Sequence, residues 1–455
     1  MNELKEIIEG QRAFFYGGSS KIEAFRRKSL EKLESLLEIY EDDILLALNK
    51  DLGKSNFEGY IAEISFLKQE IAFALAKLKK WMKPIREKTP LQAMPATSYT
   101  LYEPLGVTLI IAPWNYPFQL AIDPLIAAIA SGNTAIIKTS SKTRETSRLI
   151  RAMINDNFSK DYIYVVDNDK TSHEELLNGK YDHIFYTGGK KIGKEIMKKA
   201  SENLTKVSLE LGGKSPCIVD RTANLDNAAR SIIWAKTLNA GQTCVAVDYI
   251  LVDYSIKDKF IGKLVEVIEE FYGSCPIKSI DYSKIINEEN LDRLLGLIEG
   301  QNIIAGGTYD RKNLKLAPTI VDDVDFSNKL MEDEIFGPIL PIITYDNINP
   351  ILYKIKTLPK PLAFYLFSED KRLIEKVMYN MEYGNGCVND CIMQIVSPYL
   401  EFGGVGESGM GGYHGYNGFV NFSNKKSIMQ ASSFFRPKIK YPPYDKGKLN
   451  LIKKF

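Results

Sequence analysis

Apolar residues near the start of the chain recur at helical spacing. Leu30, Leu33, Leu36, Leu37, Tyr40 and Ile44 predict a helical stretch within 21–50, and Gly53 reads as its stop. Ile61, Ile64, Leu67, Ile71, Leu75 and Leu78 predict a second helix over 57–81. Residues 83–97, with Pro84, Pro90 and Pro95, break the pattern, and Ser98 to Glu103 alternates like an exposed strand. From Val107 short apolar runs alternate with helical stretches. The runs are Val107 to Ala112, Thr134 to Lys138, Tyr162 to Val166, His183 to Tyr186 and Lys206 to Leu211. Helical segments at 118–131 and 143–156 lie between them. Such alternation implies a parallel sheet covered on both faces, with ligands beyond the carboxyl ends of its strands.

A second succession begins at Pro216 to Val219. It continues through Tyr249 to Val252, a helix near 256–272, and strands near 316–320, 339–344, 362–367 and 387–389. Two series suggest two sheets with a cleft between them. Residues 416–431 and the lysine-rich 436–455 read as a coda with little core character. The fold class expected is α/β.

Composition narrows the partners. The chain has 455 residues, 45% apolar and 25% charged, with a formal net charge of +2. That charge gives no global field for nucleic acid. Five cysteines in a chain of this length make a disulfide framework improbable and fit a reducing compartment. With three histidines and no second cysteine pair beside Cys387 and Cys391, no zinc site is expected. The opening MNELKEIIEG lacks a secretory apolar core, and Phe118 to Ser131 is too short to span a bilayer. A cytoplasmic protein without an integral membrane anchor is expected.

The segments after the strands carry the chemistry. TGGKKIG (187–193) opens a helix, and Gly188 and Gly189 allow a pyrophosphate to approach its N-terminus; a plain tight turn explains it equally well. Lys138 ends a strand, where its ammonium would reach a ribose or simply be solvated. Glu210, in SLELGG, is either structurally paired or a base of raised pKa. Asn115, in PWNYP, is a helix cap or an oxyanion donor. Cys244, in AGQTCV, is the one thiol between a glycine-ended helix and a strand; alone it reads as a small core residue. Glu334 and Phe336, in EIFGP, read as helix-end residues when taken singly. Gly404, Gly406 and Gly409 match G-x-G-x-x-G but lack the surrounding βαβ unit, so they read as a packed, flexible loop.

Taken together, PWNYP, TGG-x-x-x-G, LELGGKSP, GQTC, EIFGP and FGGVGESGMG (402–411) resemble the aldehyde dehydrogenase superfamily in order and approximate spacing. The resemblance runs from about 50 to 430. DLGKSNFEGY, GQTCVAVDY, CVND, GGYHG and KYPPY resemble its class 3 branch, which handles aromatic and medium- to long-chain aliphatic aldehydes. The resemblance implies two doubly wound α/β domains, a Rossmann-like cofactor domain (1–82 and 104–211) and a catalytic domain (212–412). It also implies a small bridging β segment (83–103 and 413–431) that makes a homodimer, and a tail (432–455). It implies NAD or NADP as cofactor and a small-molecule aldehyde as substrate. Cys244 would attack the carbonyl, Asn115 and the Cys244 N–H would hold the oxyanion, and Glu210 would activate the water that hydrolyses the thioester. Lys138 and Glu334 would hold the two riboses, and Phe336 would pack beside the nicotinamide. Trp114, Gly188, Gly189, Gly193 and Leu211 complete the expected cofactor set.

Two departures stand out. KTSS places Ser141 where the family commonly has a glutamate that would repel a 2′-phosphate, so acceptance of NADP is expected. Val247 replaces a common proline, with a small local effect expected. Three alternatives use the same residues: acyl transfer from the thioester to coenzyme A, a Cys–His hydrolase with His414 as base, and a nucleotide-binding protein without catalysis. Tyr60, Ile61, Trp234 and Ile392 are candidates for the substrate tunnel.

Overall fold

The computed structural model describes residues 3–435 and 438–453. The first two residues of the amino-terminal reading and residues 436–437 and 454–455 of the tail lie outside them. The first sheet orders its strands Gly409–Met410, Lys206–Glu210, His183–Thr187, Val107–Ile111, Thr134–Lys138 and Ile163–Val165. All pairs are parallel except the two-residue edge strand, which runs antiparallel to Lys206–Glu210. The chain leaves the central Val107–Ile111 to one side and returns on the other. The strand order therefore reverses there, and a crevice opens at its carboxyl end. The PWNYP segment follows that strand directly. The next helix, Gln119–Ser131, is buried along its whole length and contains Pro124.

The second sheet orders Asn302–Ala305, Thr319–Asp322, Ile339–Tyr345, Tyr249–Asp253, Pro216–Val219, Ala363–Phe367 and Asn385–Val388. Only Asn302–Ala305 runs antiparallel. Continuous runs such as Ala363–Phe367 are buried at every position, as a sheet covered on both faces requires. A third, antiparallel sheet joins Ile85–Glu87, Thr97–Pro104 and Ser423–Gln430.

The helices depart from the sequence reading in detail. A helix at Glu3–Tyr16 precedes those expected. The 21–50 stretch is two helices, Glu23–Ile39 and Glu41–Leu52. The 57–81 helix contains a π-turn at Tyr60–Ser65. The 416–431 stretch divides: the strand from 424 to 430 is mostly exposed, as its composition suggests, while Phe419 and Phe422 are 1% and 0% exposed. Their rings pack on Trp81, Tyr102 and Phe185, so aromatic area outweighs the polar composition around them.

Candidate active site

Cys244 sits on a loop whose backbone runs left-handed for three residues. Asn239, Ala240 and Gly241 have φ of 52°, 51° and 73°. Gly241 is required, because a Cβ there would meet the Gly337 carbonyl oxygen at 2.3 Å. Side chains from elsewhere hold the strained turn. The Glu58 carboxylate accepts from the Asn239 N–H at 2.8 Å and from the Ser283 hydroxyl at 3.1 Å. Asn239 Nδ2 donates to the Asn115 carbonyl at 2.7 Å. Gln242 Nε2 donates to the Asn239 and Lys284 carbonyls, each at 3.0 Å, and its Oε1 accepts from the Ile286 N–H at 2.9 Å.

Asn115 is fixed from both sides. Its carbonyl accepts from Lys54 Nζ at 3.0 Å, and its Nδ2 donates to the Gln242 carbonyl at 3.1 Å. A primary amide has two N–H donors, so one remains for a ligand oxygen. Lys54 is itself paired with Glu63 at 2.5 Å, and both side chains are 0% exposed. Glu63 Oε2 accepts from the Phe118 and Gln119 N–H groups at 2.9 and 3.1 Å, which closes the N-terminus of the following helix. The sequence reading assigned Lys54, Glu58 and Glu63 no part. One signal was present: Glu63 falls on the same helical stripe as Leu67, Ile71 and Leu78, where a charge must be paired.

Cys244, Glu210 and Asn115 all line one cleft of about 810 Å³ between the two large sheets. Burial pushes the Cys244 thiol up to about 12, and the Glu334 and Glu210 carboxylates act the same way. The N–H groups of Cys244 and Val245 face its sulfur and act in the opposite direction. Glu210 ends its strand 2% exposed, and neither carboxylate oxygen has a partner. Burial, and then Glu401, raises it well above the carboxylate range. Burial, and then Asp248, pushes Glu334 up to about 8.

The cofactor residues divide. Gly188, Gly189, Leu211, Glu334 and Phe336 line the cleft. Gly189 precedes the helix Lys190–Ser201, whose N-terminus has no side-chain cap. A Cβ on Gly189 would meet nothing within 4 Å. Uncapped N–H groups opening on free space fit a pyrophosphate. Gly193 lies one turn in and packs on Leu211; its Cβ would come within 2.9 Å of Cδ2. Trp114 does not line the cleft but packs edge-on to Phe336, with ring centroids 5.3 Å apart. Lys138 stands at the end of the neighbouring strand and donates to Asn168 Oδ1 at 2.5 Å. Ser141 is exposed in the turn beyond it. Neither of these two reaches the cleft lining. Of the tunnel candidates, Ile61, Trp234 and Ile392 line the cleft and Tyr60 does not. Tyr60 instead turns its ring to Lys68 Nζ, 5.8 Å from the centroid. His414 lies on the cleft wall, but its Nε2 faces Asp123 at 3.3 Å and makes no hydrogen bond to Cys244. The Gly404–Gly409 loop packs tightly: a Cβ on Gly409 would meet the Leu209 carbonyl oxygen at 2.3 Å.

Two facing, mostly parallel sheets, one with an uncapped helix N-terminus and the other with a thiol loop, fit the layout of a dinucleotide-dependent oxidoreductase. The chain belongs to the aldehyde dehydrogenase family, whose members it matches over residues 4–428. It is 44% identical to the 4,4'-diaponeurosporen-aldehyde dehydrogenase of Staphylococcus aureus, covering 100% of this chain and 99% of that one. It is 42% identical to aldehyde dehydrogenase family 3 member H1 of Arabidopsis thaliana, covering 99% and 94%. The dimeric NADP-preferring aldehyde dehydrogenase of Canis lupus familiaris is 40% identical, with 97% and 98% covered. The substrate-bound Staphylococcus aureus AldH superposes with a TM-score of 0.97 at 44% identity, covering 100% of both chains. The chain is thus an aldehyde dehydrogenase of class 3 kind. Among the described residues no helix is long and apolar enough to cross a membrane.

Proposed function

We propose that Cys244 is the nucleophile in the NAD(P)-dependent oxidation of an apolar aldehyde to its acid, with Asn115 and Glu210 as its partners. The observation that carries this reading is their meeting in one cleft, with both Glu210 oxygens unpartnered. Cys244 Sγ, once its proton has passed to solvent in the open cleft, attacks the carbonyl carbon as thiolate, and the free N–H of Asn115 meets the oxygen that becomes negative. Glu210 takes the proton of the water that later cleaves the thioester. Glu334 and the Gly188–Gly189 turn would hold the nicotinamide cofactor, and Lys138 would serve its far ribose. When bound, the nicotinamide supplies the hydride acceptor. The three residues divide the work: Asn115 orients, Cys244 bonds and Glu210 moves a proton.

Ile61, Trp234, Leu238, Val396 and Phe402 make the substrate end of the cleft apolar, which supports an aromatic or long-chain aldehyde. Residues 1–82 and 104–211 serve the cofactor, and the second sheet, within 212–412, serves the chemistry. The bridging strands join two copies into a homodimer. The free thiols at Cys217, Cys244, Cys275, Cys387 and Cys391 support a reducing, cytoplasmic setting.

The test is NAD(P)H formation by Cys244→Ala with a panel from propanal to decanal and benzaldehyde. The variant should be silent with all of them. Aldehyde-dependent reduction by that variant would remove Cys244 from the mechanism.

A further inference from the structure

Tyr365 lies at the centre of the strand Ala363–Phe367, 0% exposed, and nothing in the reaction above uses it. Its hydroxyl is fully engaged. It donates to the Val245 carbonyl at 2.6 Å. It accepts from Gln394 Nε2 at 3.3 Å, and the Ile392 N–H also faces it. Val245 follows the nucleophile, and its own N–H faces the Cys244 sulfur. Ile392 and Gln394 belong to the turn whose Ile392, Met393, Ile395 and Val396 line the apolar end of the cleft. Gln394 is in turn locked, donating to Asn385 Oδ1 at 2.7 Å and accepting from Cys387 Sγ at 2.9 Å. Ile392 has a φ of 67°, a conformation a β-branched residue holds only when its surroundings impose it.

We infer that Tyr365 is a positioning residue that ties the Cys244 loop to the substrate wall, so that the chain lying on the wall is sensed at the thiol. One oxygen is the common anchor of both. Removing it frees the Val245 carbonyl, and with it the residue that directly follows Cys244. It also frees the 392–396 turn, which then no longer presents a fixed surface to a long substrate. A neutral phenol suits this role, because burial keeps it protonated and donating throughout the working pH range. The inference rests on the reading of 392–396 as the substrate wall, and its test has an arm that needs no aldehyde.

The experiment compares wild type, Tyr365→Phe and Gln394→Leu in two measurements. The first is alkylation of Cys244 by iodoacetamide in cofactor-free enzyme. The second is kcat and KM for propanal and decanal. Tyr365→Phe should slow alkylation and lower kcat by about tenfold, as expected for a displaced reacting group. It should also shrink the decanal-to-propanal ratio of kcat/KM by roughly fivefold, the size of one lost hydrogen bond. Gln394→Leu leaves the Val245 bond in place, so it should shrink the ratio while alkylation stays near wild type. Equal losses for both aldehydes with unchanged alkylation in Tyr365→Phe would overturn the inference. If that variant does not fold, an unchanged ratio in Gln394→Leu overturns it instead. If wild type oxidises neither aldehyde, the function reading fails and alkylation alone decides the link.

Discussion

The thiol, two carboxyl groups and one serine set the chemistry residue by residue. Cys244 at about 12 is almost wholly protonated near neutrality, so the cofactor-free enzyme is a poor nucleophile. Its alkylation rate should climb about tenfold per pH unit from 7 to 9 without a plateau, since thiolate is the reacting form. A plateau by pH 8 would show that the thiol is not raised in solution. On the proposed mechanism Glu210 accepts the proton of the hydrolytic water. Glu210→Gln should retain a burst of one NAD(P)H per site and then turn over roughly 10²–10⁴-fold more slowly, because hydrolysis alone loses its base. Loss of the burst as well would place Glu210 before hydride loss. The sign for stability follows from the raised carboxyl of Glu334. Its folded value of about 8 lies above the unfolded value, so its contribution is fully present at acid pH and is lost as pH rises through 8. Urea unfolding of wild type against Glu334→Gln should show the two curves converging below pH 4.5, drawing apart as pH rises from there to about 8 and running parallel above it, with the variant the more stable. At Ser141, NADP kinetics should at least match NAD, and Ser141→Glu should move selectivity toward NAD by adding a charge against a 2′-phosphate. Equal selectivity in the two proteins would refute that account.

At the level of elements, the loop before Cys244 depends on partners that lie far away in sequence. The Lys54–Glu63 pair is buried on both sides, and losing one member of such a pair costs about 3–5 kcal/mol. Lys54→Met should therefore lower the urea midpoint and also lower kcat, because it drops the Asn115 carbonyl. Unchanged kcat in a folded variant would separate the pair from the site. This dependence also explains what could be read in advance. Strands such as Val107–Ile111 and Ala363–Phe367 announce themselves, because burial on both faces demands unbroken apolar runs. Cys244, Glu210 and Asn115 were legible through motifs at strand and loop ends. Lys54 and Glu58 were not, since a charge on a helix reads as solvated until its partner is known. Glu58 meets Asn239 181 residues away, and no local pattern encodes that distance. The Gly409–Met410 edge strand was hidden for the same reason: it is defined by Glu210, not by its own two residues.

For the whole molecule, the third sheet decides what the two large ones can build. Ser423–Gln430 pairs with Thr97–Pro104 through its full length, and its other edge has no strand partner among the described residues. Ile85–Glu87, on the far side, is exposed at all three positions. An extended ribbon with open edges is an aggregation hazard unless something covers it. A second copy that adds its own sheet edge would satisfy those backbone groups and bring the two clefts into a fixed relation. The homodimer is thus an expected consequence of the ribbon. Sedimentation velocity should give twice the 51.4 kDa chain mass at micromolar concentration. A chain ending at residue 422 loses the edge strand and should sediment as a monomer while its cofactor-binding sheet stays folded. Full-length protein that runs as an active monomer would show that the ribbon serves another purpose.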